Sequence, residues 1–152
     1  MSRKLNIFYA DDDPDDLNFF RDVASTLKRP VNLSMHDEAS TLIEALEQGN
    51  PDEEIVFLDL NMPGKDGFDI LQEIRKSRAL KKVPVVILST TSDASTVSKC
   101  LKYGANFYVQ KANSYEAFRR SIEDAISIDY RNFRPSKKNF LYRNPVSRQI
   151  MF

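Results

Sequence analysis

Several short hydrophobic segments of the sequence end at a side chain that can take part in chemistry. Each segment stops abruptly at a polar residue, as a buried strand of a parallel sheet does where it leaves the core. The residues that follow these segments are Asp11 and Asp12, Asp59, Ser89 and Lys111. Because ligands of an open parallel sheet bind at the carboxyl ends of its strands, we expect these side chains to lie together.

The expected cluster has the composition of a phosphoryl-transfer site. Crowded carboxylates repel one another unless a proton or a cation compensates them, and oxygen ligands without His or Cys favour Mg²⁺ over zinc. Beside Mg²⁺, the Lys111 ammonium can neutralise a phosphoryl group, which carries about two negative charges. Ser89 can donate a hydrogen bond to another phosphoryl oxygen. Asp59 is then a candidate nucleophile that forms an acyl phosphate on the protein itself.

Each of these residues alone also fits a simpler role as a helix cap or a surface ion pair. The block Asp11–Asp16, with five carboxylates in six positions, is typical of a solvated, repelling face. The joint placement favours the phosphoryl-transfer site. Acids follow the first and third strands, a hydroxyl follows the fourth and a lysine follows the fifth.

The elements that must position these residues alternate along the chain. Between the strands, apolar residues recur at helical spacing. Asp13 and Pro14 are typical of the start of the first helix, and Asn113 with Glu116 predicts a capping box for the fifth. Strands alternating with helices predict a doubly wound α/β fold with a five-stranded parallel sheet. The predicted strands cover residues 5–10, 31–35, 55–58, 84–88 and 107–110.

Length and composition restrict the class of protein. A chain of 152 residues with 22 Lys plus Arg and 22 Asp plus Glu fits one domain without the positive field that non-specific nucleic-acid binding requires. The single cysteine, Cys100, excludes an intrachain disulfide and a zinc–thiolate cluster. No apolar stretch is long enough for a membrane span, and acidic residues come too early for a signal peptide. We therefore expect a cytoplasmic protein.

The sequence resembles the response-regulator receiver family. The resemblance covers about residues 4–128 and rests on Asp11-Asp12, the segment 59–67 (DLNMPGKDG), Ser89 and Lys111. It implies a flavodoxin-like (βα)5 sandwich with strand order 2-1-3-4-5. It also implies that the chain takes a phosphoryl group from a sensor histidine kinase or a histidine phosphotransfer protein, in a two-component system or phosphorelay.

The resemblance assigns roles to individual residues of the phosphorylation site. Asp59 would be the phosphoacceptor. Asp12, Asp59 and the backbone carbonyl of Asn61 would hold Mg²⁺, with Asp11 binding the ion mostly through water. Lys111 would pair with the phosphoryl group or with Asp59.

By the same resemblance, Ser89 and Tyr108 would form a switch. When Ser89 moves toward the phosphoryl group, Tyr108 turns inward and alters the surface made by the fourth helix, the fifth strand and the fifth helix. Asn61 and Thr91 match the two positions that tune hydrolysis of the acyl phosphate. Without the resemblance, Tyr108 is typical of an ordinary half-buried strand aromatic.

Two residues depart from the family pattern. Ala112 stands where the family usually has a proline after a cis peptide bond. A cis bond before a non-proline residue costs about 2.5–4 kcal/mol, so either this loop is strained or the bond is trans and Lys111 approaches differently. Thr90 stands where the family prefers a small residue, and its branched side chain should slow the entry of water or a phosphatase.

Two other functions remain open. An aspartyl-phosphate phosphatase needs a second carboxylate close to its nucleophile, commonly two residues on, and the sequence has Asn61 there. A receiver-like scaffold that is never phosphorylated typically has lost some key residues, whereas all are present here. We therefore expect a signalling protein that accepts and slowly hydrolyses its own phosphoryl group, without turnover of an external substrate.

Residues 129–152 form a basic, aromatic C-terminal tail with one acid and six bases. This length is too short for a helix-turn-helix effector domain, so we expect a receiver domain over residues 4–128, no specific DNA binding and a downstream protein target. A homodimer through the tail, or through the fourth helix, fifth strand and fifth helix, is left open. The tail aromatics favour packing on the domain or a second subunit over docking to a partner protein, nucleic acid or lipid. These aromatics are Tyr130, Phe133, Phe140, Tyr142 and Phe152.

Two further residues have side chains that could take part in chemistry. His36, the only histidine, ends the second strand next to Asp37, so a polar contact near the loop is expected rather than the role of a relay histidine. Cys100 falls within the fourth helix and is expected to pack in the core.

Overall fold

The hydrophobic segments of the sequence become the strands of a single sheet. The structure, a computed structural model, describes residues 4–49, 53–60 and 66–143. The strands are β1 (Leu5–Ala10), β2 (Val31–His36), β3 (Glu54–Asp59), β4 (Val85–Ser89) and β5 (Phe107–Gln110). The helices are α1 (Pro14–Ser25), α2 (Ala39–Glu47), α3 (Gly67–Lys76), α4 (Ala94–Lys102) and α5 (Tyr115–Ile126). Every predicted strand is present, within one residue at each end.

The five strands pair in parallel in the order β2-β1-β3-β4-β5, which confirms the predicted doubly wound, flavodoxin-like fold. β1 pairs with β2 on one side and with β3 on the other. The chain therefore builds outward from β1 in both directions. In such sheets the carboxyl ends of the strands at this reversal border the ligand crevice.

Alternate residues of the central strands supply two apolar cores, one on each face of the sheet. In β3, Val56 and Leu58 face one core, and Ile55 and Phe57 face the other. The first core includes residues of α2, α3 and α4, and the second includes residues of α1 and α5. Because the central strands are buried on both faces, their ends are held firmly where the polar residues begin.

Polar side chains fix where the helices begin. As predicted, Asp13 caps α1 by accepting a hydrogen bond from the backbone N–H of Asp15 at 2.9 Å.

None of the helices in the described ranges is both long and apolar enough to cross a membrane.

The predicted capping box at the start of α5 is wrong. Ser114, rather than Asn113, is the N-cap, and its hydroxyl accepts from the N–H of Ala117 at 3.0 Å. Ser114 has the extended backbone of an N-cap residue, so the residue three positions on is Ala117 instead of Glu116. The Glu116 carboxylate pairs with Arg119 at 2.6 Å.

Residues 139–142, here called the C-terminal strap, pack along the outer edge of β5. The N–H of Tyr108 donates to the carbonyl of Phe140 at 3.0 Å, and the N–H of Tyr142 donates to the carbonyl of Tyr108 at 2.8 Å. Phe140 is 1% exposed, and its ring centre lies 6.2 Å from that of Tyr108. The strap therefore adds both hydrogen bonds and apolar contact to an edge strand.

The prediction that tail aromatics pack on the domain is confirmed for the described part of the tail. Phe140 belongs to the core beneath α2, α3 and α4. Tyr130, Phe133 and Tyr142 pack against the core beneath α1 and α5. Phe152 lies outside the described residues.

Candidate functional site

The side chains predicted to converge lie at the carboxyl edge of the sheet. Asp59 and Ser89 are the last residues of β3 and β4, whereas Asp11 and Lys111 directly follow β1 and β5. Asp11 and Ser89 are fully buried, and Asp59 is 5% exposed. The Lys111 Nζ reaches across the edge to within 3.5 Å of an Asp59 carboxylate oxygen. The end of β5 is thereby linked to the end of β3.

Three donors hold the buried carboxylate of Asp11. The Tyr9 hydroxyl donates to it at 2.5 Å, the Asp13 N–H at 3.0 Å and the Lys111 ammonium at 2.9 Å. Burial acts to raise the pKa of Asp11, but these hydrogen bonds outweigh it and the net shift is downward. Burial, together with the Asp11 charge, raises the pKa of Tyr9. The Tyr9 hydroxyl therefore stays protonated and remains a donor.

Asp11, Asp12 and Asp59 form a group that can hold a metal ion. One carboxylate oxygen from each lies within 4.8 Å of the others. Asp12 is exposed while the other two are buried, so the group is open to solvent on one side. An all-oxygen donor set of this kind suits a hard divalent cation. Asn61, whose carbonyl was predicted to join them, lies outside the described residues.

The Lys111 ammonium contacts three carboxylates. It lies 2.9 Å from Asp11, 2.8 Å from Asp16 and 3.5 Å from Asp59. Burial acts to lower the pKa of Lys111, but the hydrogen bonds to Asp16 and Asp11 outweigh it and raise the pKa. Lys111 therefore stays charged.

Asp16 is a site residue that the sequence prediction did not include. It lies in the first turn of α1, the helix that begins directly after Asp11 and Asp12. A helix that starts at the end of β1 places its first turn over the same edge of the sheet. The signal that could have found Asp16 was its position three residues after the Asp13 cap.

The peptide bond between Lys111 and Ala112 is trans, as are all peptide bonds among the described residues. Of the two alternatives expected for this loop, the trans form is therefore present. The N–H of Lys111 donates to the carbonyl of Ser89 at 2.7 Å, so the backbone here extends the pairing of β5 with β4. The lysine side chain approaches the carboxylates from that extension.

Ser89 and Tyr108, the predicted switch pair, are linked through Thr91. The N–H of Thr91 donates to the Ser89 hydroxyl at 3.3 Å, and the Tyr108 hydroxyl donates to the Thr91 carbonyl at 2.6 Å. Tyr108 is fully buried. Thr90 is exposed, and its carbonyl accepts from the Gln110 side chain at 3.0 Å. Thr91 therefore contacts both residues of the predicted pair.

His36 and Cys100 lie as predicted. The His36 ring nitrogens contact the hydroxyls of Ser34 at 2.7 Å and Thr41 at 3.1 Å. His36 therefore has polar partners near the loop, and it lies at the end of a strand rather than on an exposed helix. Cys100 is buried in the core, and burial raises the pKa of its thiol to about 12. Neither residue belongs to the cluster of Asp11, Asp12, Asp16, Asp59 and Lys111, here called the acidic site.

The arrangement can bind a cation and, with it, a phosphoryl group. Among the described residues, Lys111 is the ammonium that reaches the carboxylates. The carboxylates of Asp11, Asp12, Asp16 and Asp59 together exceed its charge, so the site attracts a further positive charge. A doubly wound parallel sheet with such a site at its carboxyl edge defines a class of α/β domains that can bind a cation and a phosphoryl group.

The chain belongs to the response regulator receiver domain family, whose sequence model matches residues 7–123. Members of this family are receiver domains of two-component signalling and interact with kinases and downstream targets. They are signalling proteins rather than enzymes that turn over a substrate.

Two curated relatives are similar to this chain over most of its length. The chain is 32% identical over 124 residues to the Probable C4-dicarboxylate response regulator DctR of Bacillus subtilis, covering 81% of this chain and 53% of that protein. It is 29% identical over 112 residues to the chemotaxis protein CheY of Pseudomonas aeruginosa, covering 72% of this chain and 89% of that protein. The chain thus spans about half the length of DctR.

Solved structures share the fold. The Mn²⁺-bound form of the response regulator Rcp1 aligns over 87% of this chain and 99% of that chain, with a TM-score of 0.71 and 24% identity. The phosphorylated cyanobacterial phytochrome response regulator RcpA aligns over 88% of this chain and 98% of that chain, with a TM-score of 0.72 and 22% identity. At these identities the likeness concerns the fold.

Proposed function

We propose that this protein is a phosphoacceptor response regulator. It takes a phosphoryl group from a sensor histidine kinase or a histidine phosphotransfer protein onto Asp59, with Mg²⁺, and then presents the surface of α4, β5 and α5 to a downstream protein. The observation that carries this proposal is the junction of four strand ends at one edge. There the buried Asp59 lies beside the Asp11 and Asp12 carboxylates and within 3.5 Å of the Lys111 ammonium.

The proposed reaction is an in-line transfer. One oxygen of the Asp59 carboxylate attacks the phosphorus of the donor phosphohistidine, an O–P bond forms and the N–P bond breaks. The donor imidazole leaves with the bonding electrons. Lys111 offers a hydrogen bond to a phosphoryl oxygen, and Ser89 offers its hydroxyl to another. The chain's own contribution is to position these groups and to stabilise the charge.

The carboxylates fit a bound Mg²⁺ ion. Asp12 and Asp59 would hold the ion with the carbonyl of Asn61, and Asp11 would bind through water. When bound, the ion supplies charge neutralisation for the transferring phosphoryl oxygens. Rcp1, a neighbour in fold, has a structure in an Mn²⁺-bound form, which supports the binding of a divalent ion.

The proposed switch follows from charge. Phosphorylation adds about 1.5 to 2 negative charges at Asp59, and the new phosphoryl oxygens can accept hydrogen bonds from Ser89 and Lys111. A shift of Ser89 then moves Thr91, which holds the Tyr108 hydroxyl at 2.6 Å. Because Tyr108 shares an apolar core with Cys100 of α4 and pairs with the C-terminal strap, its movement would alter the surface of α4, β5 and α5.

The lifetime of the phosphorylated state is proposed to depend on residues around the acyl phosphate. Thr91 and Asn61 would tune the approach of water. The branched, exposed side chain of Thr90 would narrow access to the phosphoryl group and slow hydrolysis.

Phosphorylation by a small donor tests the proposal. We expect the wild type, incubated with acetyl phosphate and Mg²⁺, to gain the mass of one phosphoryl group. Asp59→Asn should gain nothing. The matched control is Asp69→Asn, which removes an exposed carboxylate from the first turn of α3 and should be phosphorylated like the wild type.

Each remaining outcome of the acetyl phosphate experiment would contradict part of the proposal. An unmodified wild type under saturating donor would indicate a receiver-like scaffold. Rapid, continuous release of phosphate would indicate an aspartyl-phosphate phosphatase. Modification of Asp59→Asn would place the acceptor at a different residue.

A further inference from the structure

The Lys111 ammonium uses its hydrogen-bond donors unequally. An ammonium has three N–H donors. Asp11 and Asp16 accept at 2.9 Å and 2.8 Å, whereas the Asp59 oxygen lies at the longer distance of 3.5 Å. Two donors therefore make short bonds to acids that are not the proposed acceptor, and the third points to the position where the phosphoryl group would form.

Asp16 is well placed to orient this ammonium. Its carboxylate projects from the first turn of α1, a turn fixed by Asp13 at the N-cap and Pro14 at the first helical position. The Asp16 side chain is 38% exposed and the Lys111 side chain 14%, so Asp16 holds the ammonium from the solvent-exposed side of the site. Asp11 holds the ammonium from the inner, fully buried side.

We propose that Asp16 is a positioning residue for phosphoryl binding at Asp59, an inference that rests on the proposed function. Lysine carries its charge on a flexible four-carbon stem. With Asp11 alone, the ammonium can turn about one hydrogen bond. With Asp16 as a second anchor, it is held in one orientation, and the donor that makes the longer 3.5 Å contact with Asp59 can turn to a phosphoryl oxygen.

The number of donors on the Lys111 ammonium distinguishes a positioning role of Asp16 from competition between Asp16 and the phosphoryl group. If Asp16 competed with the phosphoryl group, Lys111 would have to leave Asp16 before binding it. Three donors allow Asp11, Asp16 and a phosphoryl oxygen to be bound together. Removing Asp16 should therefore weaken, and not strengthen, the binding of a phosphoryl group.

Binding of beryllofluoride with Mg²⁺, a phosphoryl analogue, measures the effect directly by fluorine NMR. We expect Asp16→Ala to lower the affinity about tenfold, the effect of losing one charge-assisted hydrogen bond. Asp16→Asn keeps an acceptor oxygen at the same place and should restore most of the affinity. The matched control is Asp15→Asn, which removes the adjacent, exposed carboxylate without touching a Lys111 contact and should bind like the wild type.

Three results would overturn the proposal. Equal losses in Asp16→Ala and Asp16→Asn would show that only the charge matters. Tighter binding in both would show competition, and unchanged binding in Asp16→Ala would show no role. Circular dichroism of each variant checks that it is folded.

A second readout concerns the protein without any phosphoryl analogue. In the wild type, we expect NMR to detect the Lys111 ammonium protons because salt bridges protect them from exchange. Asp16→Ala should lose this signal and Asp16→Asn should retain it. If the wild type bound no beryllofluoride, the proposed function would fail, but this measurement would still decide whether Asp16 positions Lys111.

Discussion

The acidic site and the C-terminal strap both adjoin the sheet, but they affect the stability of the fold in opposite ways. At the site, carboxylates of Asp11, Asp12 and Asp59 are brought within 4.8 Å of one another. At the strap, the apolar ring of Phe140 is almost completely buried. Crowding like charges costs stability, whereas burying an aromatic ring contributes to it. The contrast indicates that apolar burial elsewhere in the fold offsets the cost of crowding carboxylates at the site. The strap contributes part of that burial.

The two regions meet at Tyr108. Its hydroxyl donates to the Thr91 carbonyl on the side of the acidic site, while its backbone N–H and carbonyl pair with Phe140 and Tyr142 of the strap. Both regions therefore contact the same residue. Variants that alter one region without the other test whether the two regions act independently.

The largest effect is expected from Phe140→Ala in the strap. Removing a fully buried phenyl ring leaves a cavity and should lower the free energy of unfolding by about 3 kcal/mol. Urea denaturation measures the loss. The variant should nevertheless be phosphorylated by acetyl phosphate under conditions where it is folded, because Phe140 contacts none of the carboxylates.

The matched control is Lys138→Ala, an exposed substitution in the same tail, for which we expect little change in stability. A Phe140→Ala protein as stable as the wild type would mean that the strap does not support the domain. Loss of phosphorylation in the folded variant would mean that the two regions are not separable.

A smaller effect of opposite sign is expected from Asp59→Asn at the acidic site. Without divalent metal, replacing this buried carboxylate relieves repulsion by its neighbours and should raise the free energy of unfolding by about 1 kcal/mol. Lys111 keeps its bonds to Asp11 and Asp16. Added Mg²⁺ should then stabilise the wild type and have a weaker effect on the variant, as measured by thermal unfolding.

The control is Asp69→Asn, whose stability should change little with or without Mg²⁺. Destabilisation of metal-free Asp59→Asn would contradict the view that the site costs stability. It would indicate instead that the bond between Lys111 and Asp59 outweighs the repulsion.

The sequence allowed the sheet and most of the site to be predicted for one physical reason. Strands buried on both faces appear as continuous apolar runs, as at Ile55–Leu58, and parallel strands bring their following residues to one edge. Asp11, Asp59 and Lys111 follow directly from that rule. The strand order rested on the family resemblance.

Features that depend on side-chain reach could not be predicted in this way. Asp16 meets Lys111 across 95 positions of sequence. Its place in the first turn of α1 could indicate that it borders the site, but not which side chain it contacts. The start of α5 was misplaced by one residue because Asn113 and Ser114 are both good N-caps, and the local backbone decides between them. Tail aromatics indicated burial, but the pairing of the strap with Tyr108 is a long-range contact without a sequence period.

The smallest effect is expected at His36, which lies at the carboxyl end of β2 outside both regions. Its backbone carbonyl accepts from the N–H of Asp11 at 3.0 Å, while its ring lies between the hydroxyls of Ser34 and Thr41. Burial lowers the pKa of His36, although the neighbouring Asp37 charge acts in the opposite direction. The unfolded chain therefore binds a proton more readily than the folded one.

Stability should consequently fall as the pH is lowered through the usual histidine pKa of about 6.5. Above that value His36 is neutral in both states and its full contribution is present. We expect urea denaturation of the wild type to show this loss between about pH 7.5 and about pH 5.5, and His36→Gln to show a smaller one. Because His36 is the only histidine, an equal loss in the variant would show that other titratable groups, and not His36, cause the pH dependence.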